Sequence, residues 1–139
     1  MIYRKGQRVL VQGITGKQGG FWTEKMAGMG TVIVGGVNPK RAGESFLGVP
    51  VFASANAAMA EASFDIAVMF IPPNAAKAAA VEAIEAGAKG LVILTEHIPQ
   101  HDVLFIRDAA RTFGTRILGP NTAGLVTPGA GFVLSLIHI

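Results

Sequence analysis

Short apolar runs alternate along the chain with longer stretches in which apolar residues recur at helical spacing. Five runs have the length and the apolar content of strands, and they cover residues 9–11, 31–36, 66–71, 91–94 and 116–118. Residues 47–52 are predicted to form a short extended segment. Strands that alternate with helices at this spacing predict an α/β fold. We expect a Rossmann-like parallel sheet with helices on both faces, joined by right-handed crossovers.

The helical stretches carry apolar stripes that should pack against the sheet. Ser54 and Asn74 are predicted N-caps, and Gly114 is the predicted end of the last helix. Because residues at i, i+3, i+4 and i+7 share one face of a helix, three stripes are predicted to be buried. They comprise Trp22, Met26 and Met29; Val81, Ile84 and Ala88; and Val103, Ile106, Ala110 and Phe113.

A glycine-rich turn, GITGKQG at residues 13–19, follows the first predicted strand. A strand that enters a helix through glycines presents free backbone N–H groups at the helix N-terminus, which favours phosphate binding. The spacing differs from the dinucleotide pattern G-x-G-x-x-G, and the P-loop sequence Gly-Lys-Ser/Thr is missing. A purely structural strand-to-helix turn remains the alternative.

The end of the second strand lacks the acidic residue that usually holds the ribose of NAD. Its sequence there is VNPKRAG, with Lys40 and Arg41 side by side. Two cations in this loop predict a second phosphate, remote from the first. The alternative is a pair of solvated loop charges.

Composition narrows the class of protein. The 139 residues are 50% apolar and 15% charged, which suits one domain with a substantial core. The net charge of +3 comes from scattered cations, so we expect no nucleic-acid partner. The absence of cysteine excludes a disulfide framework, a thiolate nucleophile and a Cys-ligated zinc site. Without a signal-type leader or a membrane-length apolar run, we expect a cytoplasmic chain with no membrane contact.

Five motifs together resemble one family. QGITGKQG, GGVNPKRAG, LGVPVF, ILTEHIP and LGPNTAGLVTPG follow the order and spacing of the CoA-binding N-terminal domain of the succinyl-CoA synthetase (succinate–CoA ligase) alpha subunit. The resemblance covers roughly residues 8–129. It implies a Rossmann-like domain that holds coenzyme A, and a partner beta subunit that binds ADP or GDP in a heterodimer or heterotetramer.

The resemblance assigns CoA contacts to residues at three strand ends. The family lysine after the second strand aligns with Arg41, and its neighbour Lys40 is an alternative for that contact. The resemblance also places Asn121 near the thiol end, without a chemical role. The predicted CoA-binding residues are Thr15, Gly16, Lys17, Gln18, Lys40, Arg41, Leu94, Thr95 and Glu96.

The chain also departs from the family pattern. Thr122-Ala123 replaces a common Cys-Pro, and His97 replaces a small residue, which suggests a divergent branch acting on malate or another dicarboxylate. Family members act through a phosphohistidine, but the sequences around His97, His101 and His138 do not resemble that loop. We therefore predict no catalytic residue and no turnover by the chain alone. Residues 1–130 are predicted to form the CoA-binding domain, and residues 131–139 a truncated or non-family tail.

The sequence is compatible with two other functions. One is a stand-alone CoA-binding module with a regulatory or carrier role. The other is an NADP-binding domain of an oxidoreductase, in which Lys40 and Arg41 would hold the 2′-phosphate. The G-x-x-G spacing of the first turn argues against the NADP alternative.

Overall fold

The computed structural model describes residues 7–95 and 97–118, together with the backbone of two later strands. The chain forms nine strands and four α-helices in these parts. In chain order they are β1 (Arg8–Gln12), α1 (Lys17–Gly28), β2 (Val32–Val37), β3 (Ser45–Phe46), β4 (Val49–Phe52), α2 (Ala55–Glu61), β5 (Ile66–Met69), α3 (Pro73–Ala86), β6 (Gly90–Ile93), α4 (Gln100–Phe113), β7 (Arg116–Leu118), β8 (Gly124–Thr127) and β9 (Gly131–Ser135). A short 3-10 turn, Pro39–Arg41, follows β2.

Seven strands form one sheet in the order β3-β4-β2-β1-β5-β6-β7. All neighbouring pairs are parallel except β3 and β4. The chain leaves β1 toward β2 and β4, then returns through α2 to β5 on the other side of β1. The predicted Rossmann-like α/β fold is therefore confirmed. In such sheets ligands bind beyond the strand carboxyl ends where the strand order reverses, which here is between β1 and β5.

The central strand is covered on both faces. Val9 and Val11 pack in one core cluster with Met26 of α1, whereas Leu10 packs in the other with residues of α2, α3 and α4. Side chains alternate along a strand, so each face of β1 meets a different helical layer. This explains why the strand reads as a continuous apolar run instead of an alternating one.

Two predicted core positions are wrong. Met29 is 61% exposed and Phe113 is 55% exposed. Phe113 is the last residue of α4, and Met29 follows α1 as its C-cap, so both lie at the ends of their helices. The periodic pattern predicted which face of each helix is buried, but the Met29 and Phe113 side chains at the helix ends are exposed to solvent. Thr23, which the apolar pattern did not mark, is buried on α1.

Of the two predicted N-caps, the one for α2 is confirmed and the one for α3 is wrong. Ser54 is confirmed as the cap of α2, because its Oγ accepts a hydrogen bond of 3.1 Å from the N–H of Ala57. The predicted Asn74 cap is wrong, because α3 already begins at Pro73 with Pro72 in the cap position. Proline suits the first helical position, since its fixed φ is helical and the missing N–H has no intrahelical partner there.

The C-terminal part of the chain contributes an antiparallel pair, β8 and β9, and β9 lies near α1. Asn121 and the predicted domain boundary at residue 130 lie outside the described residues, so both remain predictions. Within the part of the chain that the structure describes, none of the helices has the length and apolar character of a membrane span.

Candidate functional site

A cleft of about 560 Å³ lies at the carboxyl ends of β5 and β6, beside the start of α1. This volume is in the usual range for small-molecule sites. Five of the nine predicted binding residues line it, from two separate loops. The lining residues are Gly16, Lys17, Gln18, Gly19, Trp22, Met69, Phe70, Ile71, Pro72, Pro73, Leu94, Thr95 and His97.

Two glycines let the helix start close to the strand. Gly13 has φ of +83°, and a Cβ at this position would overlap the carbonyl oxygen of Phe70 on the neighbouring strand end. A Cβ on Gly19 would in turn overlap the carbonyl oxygen of Gly13. The G-x-x-G-x-x-G spacing thus packs the first turn of α1 directly against the end of β1. This close packing places the helix N-terminus at the rim of the cleft.

The N-terminus of α1 has the features of an anion site. Gly16 is the cap residue and contributes no side-chain hydrogen bond, and the first intrahelical bond runs from the N–H of Gly20 to the oxygen of Gly16 at 2.8 Å. The N–H groups before Gly20 therefore have no partner within the helix. Lys17 at the first helical position opposes the helix dipole, an arrangement that favours a bound anion.

Thr15 supports the turn instead of lining the cleft. Its Oγ1 accepts a hydrogen bond of 2.6 Å from Nδ2 of Asn38, which follows β2. The Oδ1 of Asn38 accepts from the N–H of Lys40 at 3.0 Å. Asn38 therefore joins the loops after β1 and β2, and it occupies the strand end at which a dinucleotide site usually has its acid.

Lys40 and Arg41 lie on the 3-10 turn and do not line the cleft. The Arg41 guanidinium pairs with Oε1 of Glu44 at 3.0 Å and lies 5.7 Å from the centre of the Phe46 ring. The same ring lies against Gly20, where an added Cβ would be 3.2 Å away. Phe46 of β3 therefore lies between Arg41 and the first turn of α1. The assignment of these cations to a second phosphate stays a prediction.

The end of β6 forms the far wall of the cleft. Thr95 is buried, and its hydroxyl donates a hydrogen bond of 2.6 Å to the carbonyl oxygen of Ile71. This bond holds the ends of β5 and β6 together. Leu94 adds an apolar surface next to it. Glu96 lies outside the described residues, so its predicted contact remains a prediction.

His97 is a cleft residue that is not among the predicted binding residues. It lines the cleft together with Thr95. Its backbone φ is +62°, a left-handed conformation that is uncommon outside glycine. The signal that could have found it was its position directly beyond a strand carboxyl end.

The cleft therefore combines two chemical environments. Backbone N–H groups and Lys17 provide an anion-binding end at α1. Ile71, Pro72 and Leu94 provide apolar walls that lead toward the end of β6. Such a site suits a linear ligand with an anionic head and a weakly polar arm.

Comparisons with known proteins agree with this geometry. A family profile described as a CoA binding domain matches residues 4–97. The alpha subunit of ADP-forming succinate–CoA ligase from Methanothermobacter thermautotrophicus is 47% identical over 124 residues, which are 89% of this chain and 42% of that protein. A subunit of an ADP-forming sulfoacetate–CoA ligase from Bilophila wadsworthia is 40% identical over 129 residues, which are 93% of this chain and 44% of that protein.

A solved structure shows the same fold. The ATP citrate lyase of Methanothrix soehngenii in complex with citrate and coenzyme A superposes with a TM-score of 0.78 and 21% identity, over 96% of this chain and 24% of that one. The chain spans less than half the length of the two curated relatives above. The predicted resemblance to succinate–CoA ligase alpha subunits is confirmed, and the chain belongs to the family of CoA-binding domains.

Proposed function

We propose that this chain holds coenzyme A in the cleft at α1 and is the CoA-binding part of the alpha subunit of an ADP-forming acid–CoA ligase. One observation carries the proposal. The N-terminus of α1 has no side-chain cap, begins with Lys17, and lines the cleft together with apolar residues. Family membership supports the choice of CoA over other phosphorylated ligands.

The residues present fit the two halves of CoA. The diphosphate needs hydrogen-bond donors and positive charge, which the amides of the first α1 turn and Lys17 supply. The pantetheine arm is largely neutral, and Ile71, Pro72 and Leu94 offer it an apolar surface. Bound CoA supplies a thiol nucleophile. The role of this chain is to fix the ligand, so that the thiol is held in one position.

The loop after β2 is the proposed site for the remaining phosphate of CoA. Arg41 is partly exposed and borders the first turn of α1 through Phe46. Binding a phosphate there requires Arg41 to exchange Glu44 for the ligand, or Lys40 to make the contact instead. A guanidinium can bind phosphate through two N–H groups, which favours Arg41.

The names of the two relatives are the basis for proposing a partner subunit and a class of acid substrate. By name, both curated relatives are subunits of ADP-forming CoA ligases, and one is an alpha subunit, so we propose a beta subunit as partner. Their names include succinate and sulfoacetate as acids, and we propose a small acid bearing a second anionic group as the substrate class. We further propose that the acyl group is activated through a phosphohistidine outside this chain.

Calorimetry of the purified chain with CoA, dephospho-CoA and NADP tests the ligand. We expect CoA to bind best, dephospho-CoA to bind more weakly, and NADP to bind weakest, because the glycine spacing of the first turn differs from the dinucleotide pattern G-x-G-x-x-G. A chain that prefers NADP, or that fails to bind CoA at millimolar concentration, contradicts the proposal. Succinate- and CoA-dependent ATP hydrolysis by the chain alone contradicts the proposal that the acyl group is activated by a phosphohistidine outside this chain.

A further inference from the structure

Thr95 is joined to another cleft residue by a hydrogen bond within the chain. It is 8% exposed, and its hydroxyl donates to the carbonyl oxygen of Ile71 at 2.6 Å. Both residues line the cleft, Thr95 beyond the end of β6 and Ile71 beyond the end of β5. Because the hydroxyl hydrogen is used within the protein, Thr95 can influence a bound ligand through the position of Ile71.

The segment after β5 depends on this side-chain bond because its backbone lacks donors at two positions. The paired residues of β5 and β6 end at Met69 and Ile93. The two residues after Ile71 are both proline, and neither has an N–H group that could extend the hydrogen-bonded ladder. The Thr95 hydroxyl therefore continues the connection between the two strands beyond their last paired residues.

Ile71 also lies close to the anion-binding side of the cleft. Its Cδ1 atom would be 3.4 Å from a Cβ added at Gly13, which belongs to the turn before α1. Ile71 thus lies between the end of β6, where Thr95 binds its carbonyl, and the glycine turn, where its side chain ends. The position of this half-buried residue therefore sets the distance between the two sides of the cleft.

We propose that Thr95 is a positioning residue for CoA binding, which holds Ile71, and with it the apolar wall of the cleft, at a fixed distance from the anion-binding turn. This inference rests on the proposed CoA function. A wall that is already ordered does not have to be ordered by the ligand, so the bond lowers the free-energy cost of binding. This role differs from the direct ligand contact that the family resemblance assigns to Thr95.

Thr115 provides a matched control at the opposite end of the sheet. Like Thr95 it is 8% exposed, and its hydroxyl donates to a backbone carbonyl, that of Ala88, at 2.9 Å. Thr115 precedes β7 and Ala88 precedes β6, so this bond lies at the amino ends of the strands, away from the cleft. The two threonines make the same kind of bond, but the carbonyl that Thr115 binds does not belong to a cleft residue.

The experiment compares the valine variants of both threonines, since valine keeps the shape of threonine without the hydroxyl. Thr95→Val and Thr115→Val should each lower the unfolding temperature by about 3–5 °C, because each leaves a carbonyl without its donor. Calorimetry with CoA, at a temperature where all variants are folded, should show an affinity about 3- to 10-fold weaker for Thr95→Val and unchanged for Thr115→Val. Thr95→Ser keeps the hydroxyl and should restore the CoA affinity to within about twofold of the unchanged chain.

Methyl NMR of the ligand-free chain separates positioning from direct contact. Thr95→Val should shift the Ile71 Cδ1 methyl resonance, whereas Thr115→Val should leave it unchanged. If Thr95→Val weakens CoA binding without moving that resonance, Thr95 contacts the ligand directly and the positioning role is overturned. Equal CoA affinities for the two valine variants also overturn this role, while the CoA function stands. If the unchanged chain does not bind CoA, both proposals are overturned together.

Discussion

Asn38 donates a hydrogen bond of 2.6 Å from its Nδ2 to Oγ1 of Thr15, and this bond joins the loops that follow two neighbouring strands. The two residues are 23 positions apart in the chain. One loop begins the anion-binding helix, and the other carries Lys40 and Arg41. The bond therefore fixes the spacing between the two proposed phosphate contacts.

Removing this bond should affect both stability and CoA binding. Thr15→Val keeps the shape but leaves the amide N–H of Asn38 without its acceptor, which should cost about 1–2 kcal/mol in the free energy of unfolding. Urea unfolding and CoA calorimetry measure the two effects, and Thr15→Ser, which keeps the hydroxyl, is the control. Equal affinities for the Val and Ser variants would show that the spacing of the loops does not matter for the ligand.

Gly19 and Gly28 lie on the same helix, and their substitution by alanine should have different effects on the stability of the chain. A Cβ on Gly19 overlaps the Gly13 carbonyl, so Gly19→Ala must displace α1 from β1 and should destabilise the chain by several kcal/mol, about 3 or more. A Cβ on Gly28 meets nothing within 4 Å, so Gly28→Ala should be neutral or stabilise by up to about 1 kcal/mol. Thermal unfolding of both variants measures this. A Gly19→Ala variant of normal stability contradicts the described packing of the turn.

Lys17 and Lys25 carry the same charge at opposite ends of α1. Lys17→Gln removes a cation from the positive end of the dipole, so it should stabilise the chain by about 0.3–1 kcal/mol while weakening CoA binding about 5- to 20-fold. Lys25→Gln removes a favourable cation from the last turn and should slightly destabilise the chain without changing CoA binding. Calorimetry at two salt concentrations checks the charge effect, since salt should weaken the unchanged chain more than Lys17→Gln. Similar CoA affinities for the two variants contradict the anion site.

Glu44 competes with the ligand for Arg41 in the proposed site. Glu44→Gln should release the guanidinium and tighten CoA binding about two- to threefold, an effect of the size of one exposed ion pair. Binding of dephospho-CoA should stay unchanged, because it lacks the phosphate in question. Arg41→Ala should abolish the difference between the two ligands. If Lys40→Ala does so instead, the phosphate contact belongs to Lys40.

The left-handed backbone at His97 predicts a gain in stability when glycine replaces the histidine. His97→Gly should raise the free energy of unfolding by about 0.5–1 kcal/mol, because glycine accepts φ of +62° without a Cβ penalty. Ser63→Gly relieves the same kind of strain at φ of +46°, before β5 at the other end of the sheet. It should stabilise the chain similarly, and urea unfolding of both variants measures the change. A variant that is no more stable than the unchanged chain contradicts backbone strain at that position.

Strand positions and glycine spacing were readable from the sequence because both follow from local rules. The apolar run at residues 66–71 predicts a strand covered on both faces, and Ile66–Met69 is entirely buried. Gly13, Gly16 and Gly19 predicted a tight strand-to-helix turn, and the structure shows the backbone contacts that require two of them. Helix ends were less predictable, since a periodic pattern does not show where the supporting sheet stops. Met29 and Phe113 are the examples.

The sequence by itself determined the α/β fold, the glycine turn and the lysine at the start of α1, because each depends on neighbouring residues and on periodicity. Only the tertiary structure decided that Thr15 pairs with Asn38, that Arg41 pairs with Glu44, and that His97 lies at the cleft. Strand order brings residues from distant parts of the chain to one edge of the sheet. Which of them meet there depends on side-chain geometry that the chain acquires only when the sheet is assembled.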